Sequence, residues 1–280
     1  MGGLSVSYKS ILLLLDDGKS NADRINTAIT IAKTHNAHLT AVALESLKPQ
    51  YMITTNEIQI HAECIEKAKE LIESFKPIAE ASGISFEAFT IPGSADASAN
   101  KMAHLGRNND LIILPQPGHD SRNYTQMLAF SEEVILYSGR PILFMPYIGT
   151  KRGALDKAMI SYDGTPASAR AIHDAIPLLK RAKETTVLIV ESQKQKESKS
   201  DVQTDELAKH LGRHGISIDV SRVTPGDALV STVIQNEIVD RSIDFVVIGG
   251  YGTPSLRQKI FGSVTRKLLE SMIVPVLMAH

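Results

Sequence analysis

Asp244-Phe245-Val246-Val247-Ile248-Gly249-Gly250-Tyr251-Gly252, followed after nine residues by Gly262-Ser263-Val264-Thr265, is the stretch on which the reading of this chain turns. Four consecutive apolar residues between an aspartate and glycines have the make-up of a buried strand, and 266–272 carry a helical pattern. Strand, glycine-rich turn and helix together make one half of a crossover unit in a parallel sheet. Glycines at a strand's carboxyl end let the backbone turn sharply and approach a ligand with no side chain between them. A further glycine before a helix leaves backbone N–H groups unpaired, where the helix dipole also favours an anion. Ser263 and Thr265 add hydroxyl donors, so the segment has the parts of a phosphate cradle.

The same pattern stands once more, earlier in the chain. Asp110-Leu111-Ile112-Ile113 falls on Asp244-Phe245-Val246-Val247 at an offset of 134, which continues through Gly118 on Gly252 and Pro141 on Pro275. Pro92-Gly93 falls on Pro225-Gly226 at 133, and Asp17-Gly18 on Asp163-Gly164 at 146. Repetition at this length indicates a duplicated domain, since solenoid repeats recur every ~20–50 residues. The strand candidates in the first half are Ser10–Leu15, His38–Leu44, 85–91, 111–114 and Ile142–Met145. In the second half they are Lys157–Ser161, 186–190, 217–223, 245–248 and 275–279, with helical patterns such as 24–34 and 167–181 between strands. The expected fold is α/β: two tandem doubly wound domains, 1–147 and 155–280, each with a five-stranded parallel sheet. The first copy carries about a dozen extra residues, placed around 45–61; within them 48–60 shows no clear period and reads as a long loop. The linker is expected at 147–156, and 193–201 reads as a solvated loop.

Composition narrows the function classes. The chain has 280 residues, 43% of them hydrophobic, and a net charge of −1, which gives no footprint for nucleic acid or an anionic membrane. Its single cysteine, Cys64, rules out an intrachain disulfide, and Ile11 to Leu15 is far too short to span a membrane. A soluble cytoplasmic protein is the expectation. Gly18-Lys19-Ser20 is not the end of a P-loop, because Leu13 stands where that motif needs glycine. His61-x-x-Cys64 has no second pair nearby in sequence to complete a metal site. No nucleophile elbow, zinc-protease helix or cluster of base and metal ligands appears, so an enzyme is not the leading expectation.

In an open doubly wound sheet, ligands sit at the strands' carboxyl ends where the strand order reverses. With the order 3-2-1-4-5, that crevice lies between the first and fourth strands and brings Asp163 beside the Gly249 segment. A carboxylate there can accept from a ribose hydroxyl or an adenine amino group, and it is equally suited to a turn or helix-cap role. Gly249-x-x-Gly252, nine residues, then Gly262-Ser263 resembles the ATP-binding signature of the universal stress protein family. The Asp163-Gly164 turn and the closing Val274-Pro275-Val276-Leu277 strand are similar too. The resemblance is strong over 155–280 and weaker over 7–147. It implies the 3-2-1-4-5 order and ATP, with or without Mg2+. The adenine would lie near Asp163 and the backbone of Val190, and the phosphates on Gly252, Gly262, Ser263, Val264 and Thr265. It also implies pairing of domains through their last strands, here within the chain as a pseudo-dimer, with a homodimer as a further option.

The first copy departs from this signature. Pro115 stands for Gly249, Leu128 for Gly262 and Ala129 for Ser263, while Gly118 is kept and Ser131 stands at Thr265. A leucine at the helix entrance would fill phosphate space, so the first copy is expected not to hold ATP in this manner. The leading function is a stress-responsive, ATP-binding regulatory protein with its nucleotide in the second domain. A slow ATPase or autophosphorylating enzyme and a nucleotide-free interaction scaffold are the alternatives; protein partners are unknown.

Overall fold

Continuous apolar runs make the strands, as expected where helices cover both faces of a parallel sheet. Ile11, Leu12 and Leu13 are fully buried, as are Leu111 to Leu114 and Phe245 to Val247. Each such side chain contributes about 1.5–3 kcal/mol of transfer free energy. The computed structural model describes residues 7–45, 55–93, 95–117, 124–148, 155–191, 200–250 and 263–280. The chain forms two compact units, Ser7–Gly153 and Ala154–His280.

In the first unit the order is β1 (Ser10–Leu15), α1 (Asn21–His35), β2 (His38–Leu44), α2 (Thr55–Ser82), β3 (Phe86–Ile91), α3 (Ala95–Gly106), β4 (Leu111–Pro115), α4 (Tyr124–Ser138) and β5 (Ile142–Met145). All pairs are parallel, and the order across the sheet is β3-β2-β1-β4-β5. The second unit runs β6 (Lys157–Ser161), α5 (Pro166–Leu179), β7 (Glu184–Val190), α6 (Ser200–Arg213), β8 (Asp219–Val223), α7 (Val230–Asp240), β9 (Phe245–Gly249), α8 (Ser263–Ser271) and β10 (Val276–Ala279). Its order, β8-β7-β6-β9-β10, is the same 3-2-1-4-5 arrangement. No helix among the described residues is long and apolar enough to cross a membrane.

Hydrogen bonds identify equivalent residues better than sequence offsets do. The offset of 134 holds: Pro115 pairs with Met145 as Gly249 pairs with Ala279. Gln116 N–H donates to the Met145 carbonyl as Gly250 N–H does to that of Ala279, each at 2.8 Å. The offset of 146 at the first strand needs correction. Asp110 Oδ2 accepts from the N–H groups of Lys9 and Ser10, and Asp244 Oδ2 from those of Asp156 and Lys157, an offset of 147. Asp16, not Asp17, is therefore the counterpart of Asp163. Each takes the same turn: Gly18 N–H donates to Asp16 Oδ1 at 2.8 Å, and Thr165 N–H to Asp163 Oδ1 at 3.0 Å. Likewise Glu45 N–H donates to the Ile91 carbonyl as Glu191 N–H does to that of Val223, an offset of 132 at the end of the third strand.

The extra residues of the first copy are accounted for in part by helix. α2 has 28 residues against 14 in α6, so 55–60, expected as loop, opens a helix. Thr55-Asn56-Glu57 puts helix-starting polar residues and an acid at the positive end of the dipole, a signal that periodicity alone does not register.

Candidate functional site

β6 ends at Ser161, which pairs with Leu188 of β7 on one side and Ile248 of β9 on the other. The chain leaves β6 through α5 toward β7 and later returns to β9 on the far side. The strand order thus reverses between β6 and β9, and their carboxyl ends border a crevice.

Asp163 lies two residues past β6 and is exposed. Its Oδ1 accepts from Thr165 N–H at 3.0 Å and from Thr165 Oγ1 at 2.7 Å. Thr165 Oγ1 in turn accepts from Ser168 N–H at 3.2 Å and caps α5, with Pro166 at the first helical position. One carboxylate oxygen therefore organises the turn and cap, while Oδ2 makes no hydrogen bond among the described residues. No cation among those residues pairs with Asp163 either. Next to it, the half-buried Tyr162 phenol is pushed above its usual pKa by burial and then by the Asp163 charge, which keeps it a protonated donor. Sequence reasoning passed over Tyr162; its signal is an aromatic residue directly before the strand-end aspartate.

Val190 ends β7 and stands level with Asp163, since Tyr162 N–H donates to the Leu188 carbonyl at 3.0 Å. Beyond it Glu191 is bound by Arg222 at 3.1 Å, where the first unit bonds Glu45 to the Thr90 hydroxyl at 2.7 Å.

Gly249 has a role the sequence does not reveal. A Cβ there would come within 2.5 Å of Ser168 N, 2.8 Å of Ala167 C and 3.0 Å of Ser168 Cα. β9 thus meets the backbone of the first turn of α5 so closely that only glycine fits, whatever the ligand. Gly250 N–H is already bound to the Ala279 carbonyl at 2.8 Å. Gly252 and Gly262 lie outside the described residues. α8 begins at Ser263, with Val264 half-buried and Thr265 buried in its first turn.

The first unit differs in more than the three substituted residues. Leu128 is buried, but it lies inside α4, which starts at Tyr124, and not at a helix entrance. Asp16 also differs from Asp163 in being paired: Arg24 Nη2 is 2.7 Å from its Oδ1. Arg24 is fully buried; its Nε donates to the Leu14 carbonyl at 3.0 Å and its Nη2 to Asn21 Oδ1 at 2.9 Å. The adjacent Asp17 is held by Lys67 of α2, whose ammonium that hydrogen bond and charge push above its usual pKa.

Residues 155–280 match the family model described as Universal stress protein family. Among solved structures, a universal stress protein from Archaeoglobus fulgidus DSM 4304 is 18% identical, with 96% of this chain and 95% of that one covered and a TM-score of 0.73. A putative universal stress protein from Pseudomonas aeruginosa UCBPP-PA14 is 15% identical, covers 97% of this chain and 93% of its own, and has a TM-score of 0.60. A functionally unknown protein from Pseudomonas aeruginosa PAO1 has the same identity and TM-score, with 97% and 92% covered. At these identities the likeness is one of fold. No curated protein matches the chain. The second unit is thus a domain of this family, and both units share the family's architecture.

Proposed function

We propose that this chain is a stress-related regulatory protein that holds ATP at the second unit's switch point. The observation that carries the reading is the Asp163 carboxylate, without a cation among the described residues and exposed beside the ends of β6, β7 and β9. Its Oδ1 is committed to the Thr165 turn, which fixes the side chain and leaves Oδ2 to accept from a ribose or adenine donor. The protonated Tyr162 phenol adds a donor next to it. These groups fit the polar, neutral part of a nucleotide. The residues assigned to the phosphates are Gly252, Gly262, Ser263, Val264 and Thr265, at and before the start of α8, since a helix N-terminus favours negative charge. The protein's own groups would bind and orient the nucleotide, with no catalytic step assigned to them.

Nucleotide released from purified protein by denaturation, and ATP affinity of Gly262→Leu, test the site. The substitution copies the first unit's Leu128 and is expected to abolish ATP binding with the fold retained. Unchanged affinity in folded Gly262→Leu protein overturns the assignment. Phosphate release during prolonged incubation with ATP and Mg2+ separates holding from hydrolysis.

A further inference from the structure

The two units treat one face of their third strand differently. Phe86 of β3 packs edge to face against Phe75 of α2, with ring centroids 5.7 Å apart, so by strand alternation Phe89 and Ile91 lie on the opposite face. The offset of 132 at this strand makes Ser221 the counterpart of Phe89. Ser221 is buried: its hydroxyl accepts from Arg241 Nη2 at 2.9 Å, and Arg241 Nε is bound to Glu237 of α7 at 2.6 Å. Phe89 has no such cover and is 37% exposed. We propose that this open face of the first unit is a binding site for a small amphipathic carboxylate, an apolar body that ends in one carboxyl group.

The space is there. Between β3 and α3 lies a cavity of about 450 Å³ whose lining includes Phe89, Ile91, Pro92, Lys101, His104 and Leu105. That volume falls in the ~300–1,000 Å³ range of small-molecule sites. Lys101 and Leu105 stand one turn apart on the same stripe of α3, and Leu105 continues the apolar wall made by Phe89 and Ile91.

The charge identifies the occupant. Lys101 Nζ donates to the Pro92 carbonyl at 2.7 Å, which holds the ammonium where β3 has just ended. That single bond leaves donors of the ammonium free, and no acid pairs with it among the described residues. The lining contains no carboxylate, and His104 adds a second nitrogen donor to it. Glu87, the acid on this face of β3, stands two residues before Phe89 and is bound by Thr40 Oγ1 at 2.9 Å. An apolar wall with an unpaired cation at one end fits a ligand with an apolar body and one anionic end; an uncharged ligand would cover the ammonium without answering it. The inference does not rest on the nucleotide site, which belongs to the other unit.

Octanoate is the probe, and octanol is its uncharged match. Titration calorimetry on the full chain is expected to show octanoate bound, and bound more tightly than octanol. Phe89→Ser, which copies the second unit, is expected to weaken both about tenfold or more, through the lost apolar contact. Lys101→Gln keeps a donor for the Pro92 carbonyl and removes the charge; it is expected to weaken octanoate about tenfold and to leave octanol within about twofold. Circular dichroism establishes that the variants are folded. Should Phe89→Ser fail to fold, the Lys101→Gln comparison, made at an exposed residue, decides alone. No octanoate bound, unchanged affinity in folded Phe89→Ser, or an undiminished preference for octanoate in Lys101→Gln overturns the proposal. So does a dimer that binds no octanoate and that Phe89→Ser dissociates, because the occupant would then be a second copy of this chain.

Discussion

Replacing Gly249 with alanine tests whether that glycine serves the fold or the ligand. The added Cβ would lie 2.5 Å from Ser168 N and 2.8 Å from Ala167 C, both of them backbone atoms in the first turn of α5. A flexible side-chain tip could move aside, but this turn is fixed by the Thr165 cap and by the Asp163 bonds that orient it. Overpacking of a well-filled site costs about 1–3 kcal/mol, and a backbone obstacle puts Gly249→Ala at the upper end, near ~3 kcal/mol. At about 2–4 °C per kcal/mol for a chain of this size, the midpoint should fall by roughly 6–12 °C. Gly212→Ala is the matched control, because its Cβ would meet nothing within 4 Å and it lies in α6. The same added methyl there should stabilise by about 0.5–1 kcal/mol through helix propensity. Thermal unfolding of both variants beside the unmodified chain gives the comparison. A Gly249→Ala midpoint equal to that of the unmodified chain, with ATP binding lost, would refute the packing argument and make the glycine a ligand-approach residue.

The other outcomes concern the first unit. The Lys67–Asp17 pair is exposed, so Lys67→Met should cost only about 0.2–1 kcal/mol near neutral pH. The folded state raises the Lys67 pKa above its ordinary 10.5. The pair's contribution is therefore full below that value and lost as pH rises through the higher folded pKa. Urea unfolding of both proteins across that alkaline range checks it, and a constant difference at every pH would show that charge is not the cause. Ser131 is fully buried in α4, and its hydroxyl has no hydrogen-bond partner among the described residues. Ser131→Ala should therefore be neutral or stabilising, by up to about 1 kcal/mol, in the same assay; a clear loss of stability would point to a bond made by that hydroxyl.

The strand order and the duplication can be read from sequence for a physical reason: strands covered on both faces are unbroken apolar runs, and β4 to β5 maps on β9 to β10 without a gap. The charges at the crevice cannot be read that way. Asp16 and Asp17 are adjacent and alike, and the glycine after Asp17 makes it the better match to Asp163-Gly164 by letters alone. The strand registers, and the amides bound to Asp110 and Asp244, settle that Asp16 is the counterpart. The first connection is also longer, with four residues from Asp16 to the cap Ser20 against two from Asp163 to Thr165, and that shift hides the correspondence. Arg24 is hidden for a different reason. In a helix of mixed polarity an arginine reads as solvated, and its burial follows from one carbonyl and two side chains that the fold assembles around it. The three substitutions visible in the sequence, Pro115, Leu128 and Ala129, stand opposite Gly249, Gly262 and Ser263. The structure adds a difference at the end of the first strand, where Asp16 is paired with a buried arginine and its counterpart Asp163 has no cation among the described residues.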